Sequence, residues 1–559
     1  MYRLTFVSFV SFVVRLTRSR HPVLTITAVA GAVFVLYAFA LGRMPVYLCD
    51  AEVLFALNAH SVATTARDVN GRLLPLYFQV YANMWFQPII VYLTALFLTV
   101  LPVAEWTVRL PSVAVGVLDV VLMYAIAKRL FTRGRWALFA AVALALTPAH
   151  FIHSRLAMDY LYPVPFVTAW LLGMLIFLER RRQWILFAVT SVLGLGCYSY
   201  IASLVMMPVY LALTLFAVSK TEARPWRLYV IAIAGFVWPV VAIVPWVIHH
   251  PEALKATAGR YELAERPGSG TVTRPAALPP PVVRSSGSTS TILQDLRQTA
   301  RFSGLTGRIS LYWYFFDPSY LFLTGGYANV INSTRHVGVF LLPFAVLIPI
   351  GLYRLVVRHA VIDVILLIGF LTAPVAACLV VPEPYAIDRE LELLPFAVLI
   401  ATSGLVQLST SPLKTSRLVA GCLLALIPLH FAFFCFDYFG DYRLRSAFWF
   451  EGNRRGAIED AVARDARERV PAIYLNTDIP YIDAYWKLYL IKLRREDLLP
   501  RTVYVDAASL DPQAMPPRSL LVTLRDDRAA RALIDAGKLR EVAAIPEPAD
   551  PPWFAVLQR

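Results

Sequence analysis

Charge is what this 559-residue chain has least of. Only 16 % of its residues are charged, whereas 58 % are hydrophobic and the mean hydropathy is +0.60. Soluble proteins carry about 25 % charged and roughly 45–50 % apolar residues. Globular cores cannot bury so large an apolar excess, so most of the chain must be solvated by lipid. The same figures exclude disorder, collagen and coiled coil. Cysteine is scarce as well. Cys49, Cys197, Cys378, Cys422 and Cys435 all lie in or beside apolar runs, and none forms a C-x-x-C pair. Neither a disulfide framework nor a zinc site is indicated. The sequence also lacks a P-loop, a GxGxxG fingerprint and internal repeats.

What is present is a series of long apolar runs. A transmembrane helix needs about 20 mostly apolar residues. About eleven segments qualify: 22–41, 110–130, 136–152, 160–178, 184–199, 201–218, 228–248, 337–353, 360–381, 391–409 and 417–437. Met1–Arg20 does not read as a cleavable signal, because the apolar run after it is long and no A-x-A site follows. Pro88–Pro102 is apolar but short. Its roughly 14 inner residues reach about 21 Å at 1.5 Å per residue, too little for a core of about 30 Å. Tyr77, Phe78, Tyr81, Trp85 and Phe86 precede it, and aromatics favour the membrane interface. It reads as a helix lying in the membrane surface.

Orientation follows from the positive-inside rule. With the N-terminus in the cytoplasm and Pro88–Pro102 not crossing, six short segments face inward. They are the N-terminus, Lys128–Arg135, Glu179–Gln183, Ser219–Arg227, Arg354–His359 and Ser409–Arg417. These hold 18 of the 52 basic residues and two of the 37 acidic ones. The net charge of +15 is therefore a topology signal, and no nucleic-acid partner is implied. The expected architecture is a polytopic α-helical membrane protein spanning residues 1–438. A first outer loop (42–109) carries interfacial helices, and a large outer loop (249–336) contains the Pro/Ser/Gly-rich tract 267–290. Residues 439–559 form a small C-terminal α/β soluble domain. In it, 472–475, 502–505 and 520–524 read as strands, and 482–493 and 525–536 as helices.

Chemistry-bearing residues gather on the outer side. Asp50 and Glu52 follow directly on the first span. A loop acid is ordinarily just solvated, but these precede an amphipathic helix (53–66) at the lipid boundary, where a carboxylate is placed for general-base work. The turn at 153–163 carries Arg155 and Asp159, four residues apart, which reads either as a local ion pair at a helix end or as a second acid at the depth of Asp50. Arg389 enters a span from the outer side. Arginine there usually snorkels, but a phosphate is a good reason to keep one, because guanidinium offers bidentate donors. Arg335 and His336 sit similarly. Asp119 lies within a span, while Asp363 and His430 lie nearer span ends.

These motifs in this order resemble a known group. An acidic motif directly after the first span, an interfacial helix opening at Pro88, Arg109-Leu110-Pro111-Ser112, Ser154-Arg155-x-x-Met158-Asp159, and Arg389 followed by Leu394-Pro395-Phe396 are similar to the GT-C-fold membrane glycosyltransferases. The branch is that of protein O-mannosyltransferases and aminoarabinose transferases. The resemblance covers roughly residues 20–410. It implies a polyprenyl-phosphate sugar donor, an inverting transfer and a site on the periplasmic face of a bacterial inner membrane. It also implies an envelope glycan, lipid or protein as acceptor. Asp50 matches the family's catalytic acid and Asp159 its second acid, with Glu52 alongside. Arg389, Arg155 and Arg335 are the candidate phosphate-binding cations. A divalent metal ion is the one cofactor left open. The chain departs from the family where Ala51 separates Asp50 from Glu52 and where Phe86-Gln87-Pro88 replaces Glu-Lys-Pro or His-Pro-Pro. Specificity for sugar or acceptor therefore does not carry over. A transporter or flippase, and a ligase or polymerase using polyprenyl-diphosphate glycans, are the competing classes. The first is disfavoured by the lack of repeats, and the second does not need an acid at position 50.

Overall fold

The computed structural model describes residues 22–81, 84–222, 225–253, 305–326, 330–379 and 384–559. The expectations for Met1–Arg20 and for the tract 267–290 lie outside these residues. Every apolar run singled out above carries helix. Seven described helical segments are long and apolar enough to cross a membrane: Glu105–Leu130, Asp159–Arg180, Ser203–Thr221, Trp226–His249, Val361–Leu379, Leu393–Thr410 and Lys414–Arg445. The apolar helices Val23–Ala38, Ile89–Leu98, Gly134–Ala145 and Gln183–Gly196 are shorter. The protein is thus a polytopic helical membrane protein.

Two runs differ from the reading for local reasons. The run 136–152 breaks into Gly134–Ala145 and Pro148–His153, because the residue before a proline disfavours helix and Pro148 suits the first turn of a new one. The run 337–353 becomes helical only from Phe344 and then continues to Arg358, again with a proline, Pro343, just before the first turn.

Charge pairs mark one end of the bundle. Arg129 pairs with Glu179, and Arg181 pairs with Glu222. Three of the six basic segments therefore meet. Arg109 lies 20 residues from Arg129 on the same helix, or about 30 Å at 1.5 Å per residue. The Asp50 end and the basic end are separated by the thickness of a bilayer core.

At the Asp50 end, the helix Asp50–Thr65 is followed by a two-stranded antiparallel hairpin, β1 (Phe78–Tyr81) and β2 (Met84–Phe86), and then by the helix Ile89–Leu98. The aromatic stretch is thus a hairpin, with a register shift between Gln79 and Tyr81. The C-terminal residues build a five-stranded mixed sheet. Its strands are β3 (Ile473–Asn476), β4 (Thr502–Val505), β5 (Leu520–Leu524), β6 (Arg540–Ile545) and β7 (Phe554–Gln558), in the order β4-β3-β5-β7-β6. The helices Arg454–Glu468 and Ile482–Leu493 pack on it. Leu48, Val53, Ala56 and Leu57 share one apolar core with Ala457, Ile458, Tyr485 and Tyr489. The C-terminal unit is therefore docked directly onto the helix that Asp50 begins.

Candidate active site at the head of the Asp50 helix

The helix starts at Asp50 because its first turn is satisfied twice. Glu52, at the third helical position, reaches back to accept the Cys49 N–H at 3.1 Å, which removes one orphan donor. Its carboxylate, like that of Asp50, also suits the positive end of the helix dipole. Glu52 is then fully consumed. Its two oxygens accept from Nε and Nη2 of Arg109 at 2.8 and 2.9 Å, and Oε1 also takes the Ala157 N–H at 2.9 Å. Neither side chain is exposed. The expectation that Glu52 is catalytic is corrected: a carboxylate buried in a two-pronged ion pair is a brace. Arg109 spends its other donors on the carbonyls of Leu41, Pro45 and Tyr47.

Arg155 is corrected in the same way. It is fully buried and donates to the carbonyls of Tyr37, Phe39 and Met44 and to the Tyr438 hydroxyl. Its guanidinium lies over the rings of Phe151, Tyr438 and Phe439. It is a second clamp on residues 37–47, with four of its five N–H donors spent on these partners.

Between these clamps Asp50 stays half-exposed. It accepts the Ala51 N–H at 2.7 Å, which orients one oxygen. The Tyr81 phenol lies beside its carboxylate; burial and that carboxylate raise Tyr81 above the ordinary phenol value. From the C-terminal unit, Tyr481 and Glu451 fall within the same field, and both are raised, first by burial and then in part by Asp50.

Asp159 is buried at the start of the short 3-10 turn Asp159–Leu161. Because Glu52 holds Ala157, two residues before Asp159, it ties Asp159 to the Asp50 turn. Tyr160 lies within electrostatic reach of Cys49, Asp159 and Asp388, so it marks where three loops converge. Asp388 and Arg389 pair at 3.8 Å in the 3-10 turn Ile387–Arg389. Burial raises Asp388, and Arg389 opposes it. Glu390 is fully buried and accepts the Tyr320 hydroxyl at 2.6 Å; burial pushes it well above the usual carboxylate range. The structure thus brings Asp50, Asp159 and Arg389 to one region.

Arg335 belongs to an adjoining group. Its guanidinium lies over the Trp449 ring at 5.9 Å. Next to it, His336, Asp437 and Asp441 have donor atoms within 4.8 Å of one another, a spacing that suits a metal ion. Arg445 already supplies the positive charge: it donates to Asp437 at 2.9 Å and pairs with Asp441. With Glu52 taken by Arg109 and this cluster by Arg445, neither place fits a divalent ion.

The charges within apolar segments have polar partners. Asp119 meets His150 Nε2 at 3.3 Å, and His150 Nδ1 meets the Tyr37 hydroxyl at 2.8 Å. Asp363 pairs with Arg358, and His430 accepts the Leu342 N–H. Sequence reasoning missed Arg109 as the partner of Glu52, along with Tyr81, Tyr160, Tyr481 and Glu451. Arg109 left a signal as a charge at the edge of an apolar run, and Tyr81 as part of the aromatic stretch before Pro88.

Residues 87–249 match the dolichyl-phosphate-mannose-protein mannosyltransferase family. No curated protein matches the chain in sequence. Among solved structures, the fold is similar to that of ArnT from Cupriavidus metallidurans bound to undecaprenyl phosphate. The TM-score is 0.57 at 14 % identity, covering 96 % of this chain and 97 % of that one. The same enzyme in the apo state gives 0.56 at 16 % identity with equal coverage. The chain therefore has the GT-C fold along nearly its whole length, and the resemblance read from its motifs holds.

Proposed function

We propose that the protein is an inverting glycosyltransferase that moves a sugar from a polyprenyl-phosphate donor to an acceptor hydroxyl. The reaction would take place at the periplasmic face of a bacterial inner membrane. The observation that carries this reading is Asp50: a half-exposed acid, oriented by a backbone N–H, on a turn that two buried arginines immobilise. Asp50 takes the acceptor's O–H proton as the acceptor oxygen attacks the anomeric carbon. The bond from that carbon to the phosphate oxygen breaks, and its electron pair leaves on the polyprenyl phosphate. Arg389 neutralises the charge that grows there. Asp159 lines the site from the neighbouring loop, and Arg335 lies further along the same face. The GT-C fold and the mannosyltransferase-family segment support the reading.

The test is envelope glycan mass analysis with and without the protein, followed by transfer from lipid-phosphate sugars by the purified full-length chain in nanodiscs. A lost hexose or pentose increment, restored in vitro, is the expected result. An unchanged glycan profile together with absent transfer overturns it.

A further inference from the structure

The C-terminal unit sits where it can touch substrate. Tyr485 donates its hydroxyl to the Leu48 carbonyl at 2.9 Å, two residues before Asp50. Tyr47 donates to Glu547 at 3.2 Å, and Lys492 and Arg455 both hold Glu105. These bonds, with the shared apolar core, fix the unit against the first outer loop. Glu451 and Tyr481 are among its residues that lie within the electrostatic field of Asp50. Glu451 ends the short turn Phe448–Phe450 with φ 66°, and Tyr481 begins the helix Ile482–Leu493 with φ 56°. Both adopt the left-handed backbone, which a side chain such as tyrosine seldom takes. Such strain persists only where the surroundings over-determine it, and it clusters at functional positions. Here Arg454 supplies the determination. It pairs with Glu451 at 2.6 Å, donates to the Pro480 carbonyl at 2.9 Å and lies over the Tyr485 ring at 4.8 Å.

The result is an aromatic pair built from two distant parts of the chain. The Tyr481 ring centroid lies 5.4 Å from that of Tyr81 at 67°. Tyr81 ends β1 at its register shift and places its phenol beside Asp50. Tyr481 remains 39 % exposed although it is packed at the boundary of two units. Tyrosine offers an apolar face with a hydrogen-bonding tip, the combination that suits a sugar ring, which has a C–H face and a rim of hydroxyls.

We infer that Tyr481, together with Tyr81, walls the subsite that holds a sugar ring against Asp50, so that the C-terminal unit completes the active site. This rests on the glycosyl-transfer reading and deepens it. The ring is either that of the donor or one on the acceptor, and the experiment separates the two. Two probes are used with the full-length chain in nanodiscs: undecaprenyl phosphate alone, and the lipid-phosphate sugar fraction extracted from host cells lacking the protein. In the wild type the sugar-bearing lipid should bind more tightly than the bare phosphate. Tyr481→Ala should keep the affinity for undecaprenyl phosphate but lose about tenfold of the sugar-dependent advantage, the scale of one aromatic contact. Tyr481→Phe keeps the wall and should lose no more than about threefold, the phenol's hydrogen bond. Retention by the Phe variant, with matching melting curves, excludes a folding defect. If the advantage survives in Tyr481→Ala but half-saturation in a host envelope-glycolipid fraction rises, the ring belongs to the acceptor. If neither changes, the inference is overturned. If the wild type binds neither probe, the glycosyl-transfer reading fails first, and the inference with it.

Discussion

The carboxylate of Glu52 holds the guanidinium of Arg109 with both oxygens, at 2.8 and 2.9 Å, and neither side chain reaches solvent. Through Oε1, Glu52 also holds the Ala157 N–H. One ion pair therefore joins the Asp50 turn, the helix Glu105–Leu130 and the loop that leads to Asp159. Removing one partner of a buried pair leaves an uncompensated charge, a cost of about 3–5 kcal/mol. Arg109→Met should lower the melting temperature sharply in detergent. Glu52→Gln should do the same to a smaller degree, because the amide still accepts from Ala157. In the double variant Glu52→Gln/Arg109→Met the losses should be less than additive. Full additivity would show that the two residues do not act as a pair.

Arg155 gives a contrasting case. It packs among Phe151, Tyr438 and Phe439 and ties down three carbonyls. Arg155→Lys keeps the charge but loses the planar fork. It should cost stability, on the order of 1–3 kcal/mol for bonds to a charged group. Donor affinity per folded molecule should stay as in the wild type. A donor-affinity loss without a melting shift would return Arg155 to the phosphate site.

Much of this architecture is legible in the sequence, and the boundary of legibility is physical. Apolar runs declare themselves as helices because lipid-solvated segments need no partner to be recognised. Asp50 stands out because it follows a span directly. The role of Glu52 was hidden because its partner is 57 residues away, and a free loop acid and a braced one look alike in one dimension. Arg155 misled for the same reason: its Tyr438 contact is 283 residues distant. The β1–β2 hairpin was hidden because aromatics on both faces, with a register shift at Tyr81, erase the period-2 alternation. In the C-terminal unit the sequence pattern predicts β3, β4 and β5, which form as strands. The pattern does not extend to the helix Arg454–Glu468 or to β6 and β7, although β7 lies between β5 and the edge strand β6.

Asp465 makes the C-terminal unit acid-sensitive. Burial alone would raise its pKa, but hydrogen bonds and charge from Arg501 and Arg495 override that and hold it below the usual carboxylate value. A depressed folded pKa contributes stability that is present above the unfolded value, about 3.9 for Asp. That stability is lost as pH falls through the folded value. Hydrogen exchange in β3 and β4 should therefore accelerate as pH drops below about 4. Asp465→Asn should remove that component of the acid dependence and start from a lower stability at neutral pH. An acid profile identical in the two proteins would assign the sensitivity elsewhere.

Arg389 lies 3.8 Å from the Asp388 carboxylate and sits beside the Asp159 turn. A growing phosphate charge would draw its guanidinium more strongly than Asp388 does, since burial already favours the neutral form of that acid. Arg389→Ala should reduce kcat/KM for the donor by about 10²–10³-fold, the scale for losing one transition-state charge stabiliser. Arg389→Lys should recover part of it, because lysine returns the charge without the bidentate geometry. Donor turnover unchanged in Arg389→Ala would leave the residue as a membrane-interface anchor.

Asp50 carries the heaviest test. An acceptor hydroxyl attacks poorly unless its proton leaves as the new bond forms, and a positioned carboxylate contributes roughly 10²–10⁴-fold by accepting it. Asp50→Asn keeps the shape of the side chain and the acceptor for the Ala51 N–H but cannot take that proton. The Glu52–Arg109 brace does not involve the Asp50 side chain, so this variant should fold, melt and bind undecaprenyl phosphate like the wild type. Turnover should fall by that factor, about 3–5 kcal/mol of barrier. Asp50→Glu should also be impaired, since the longer arm moves the base past Tyr81. The comparison with Glu52→Gln is decisive because the two acids sit on one turn: Asp50→Asn should lose rate at constant stability, and Glu52→Gln should lose rate only in step with stability. Near wild-type turnover by folded Asp50→Asn would remove Asp50 as the base and pass that role to Asp159, the other acid tied to the same turn.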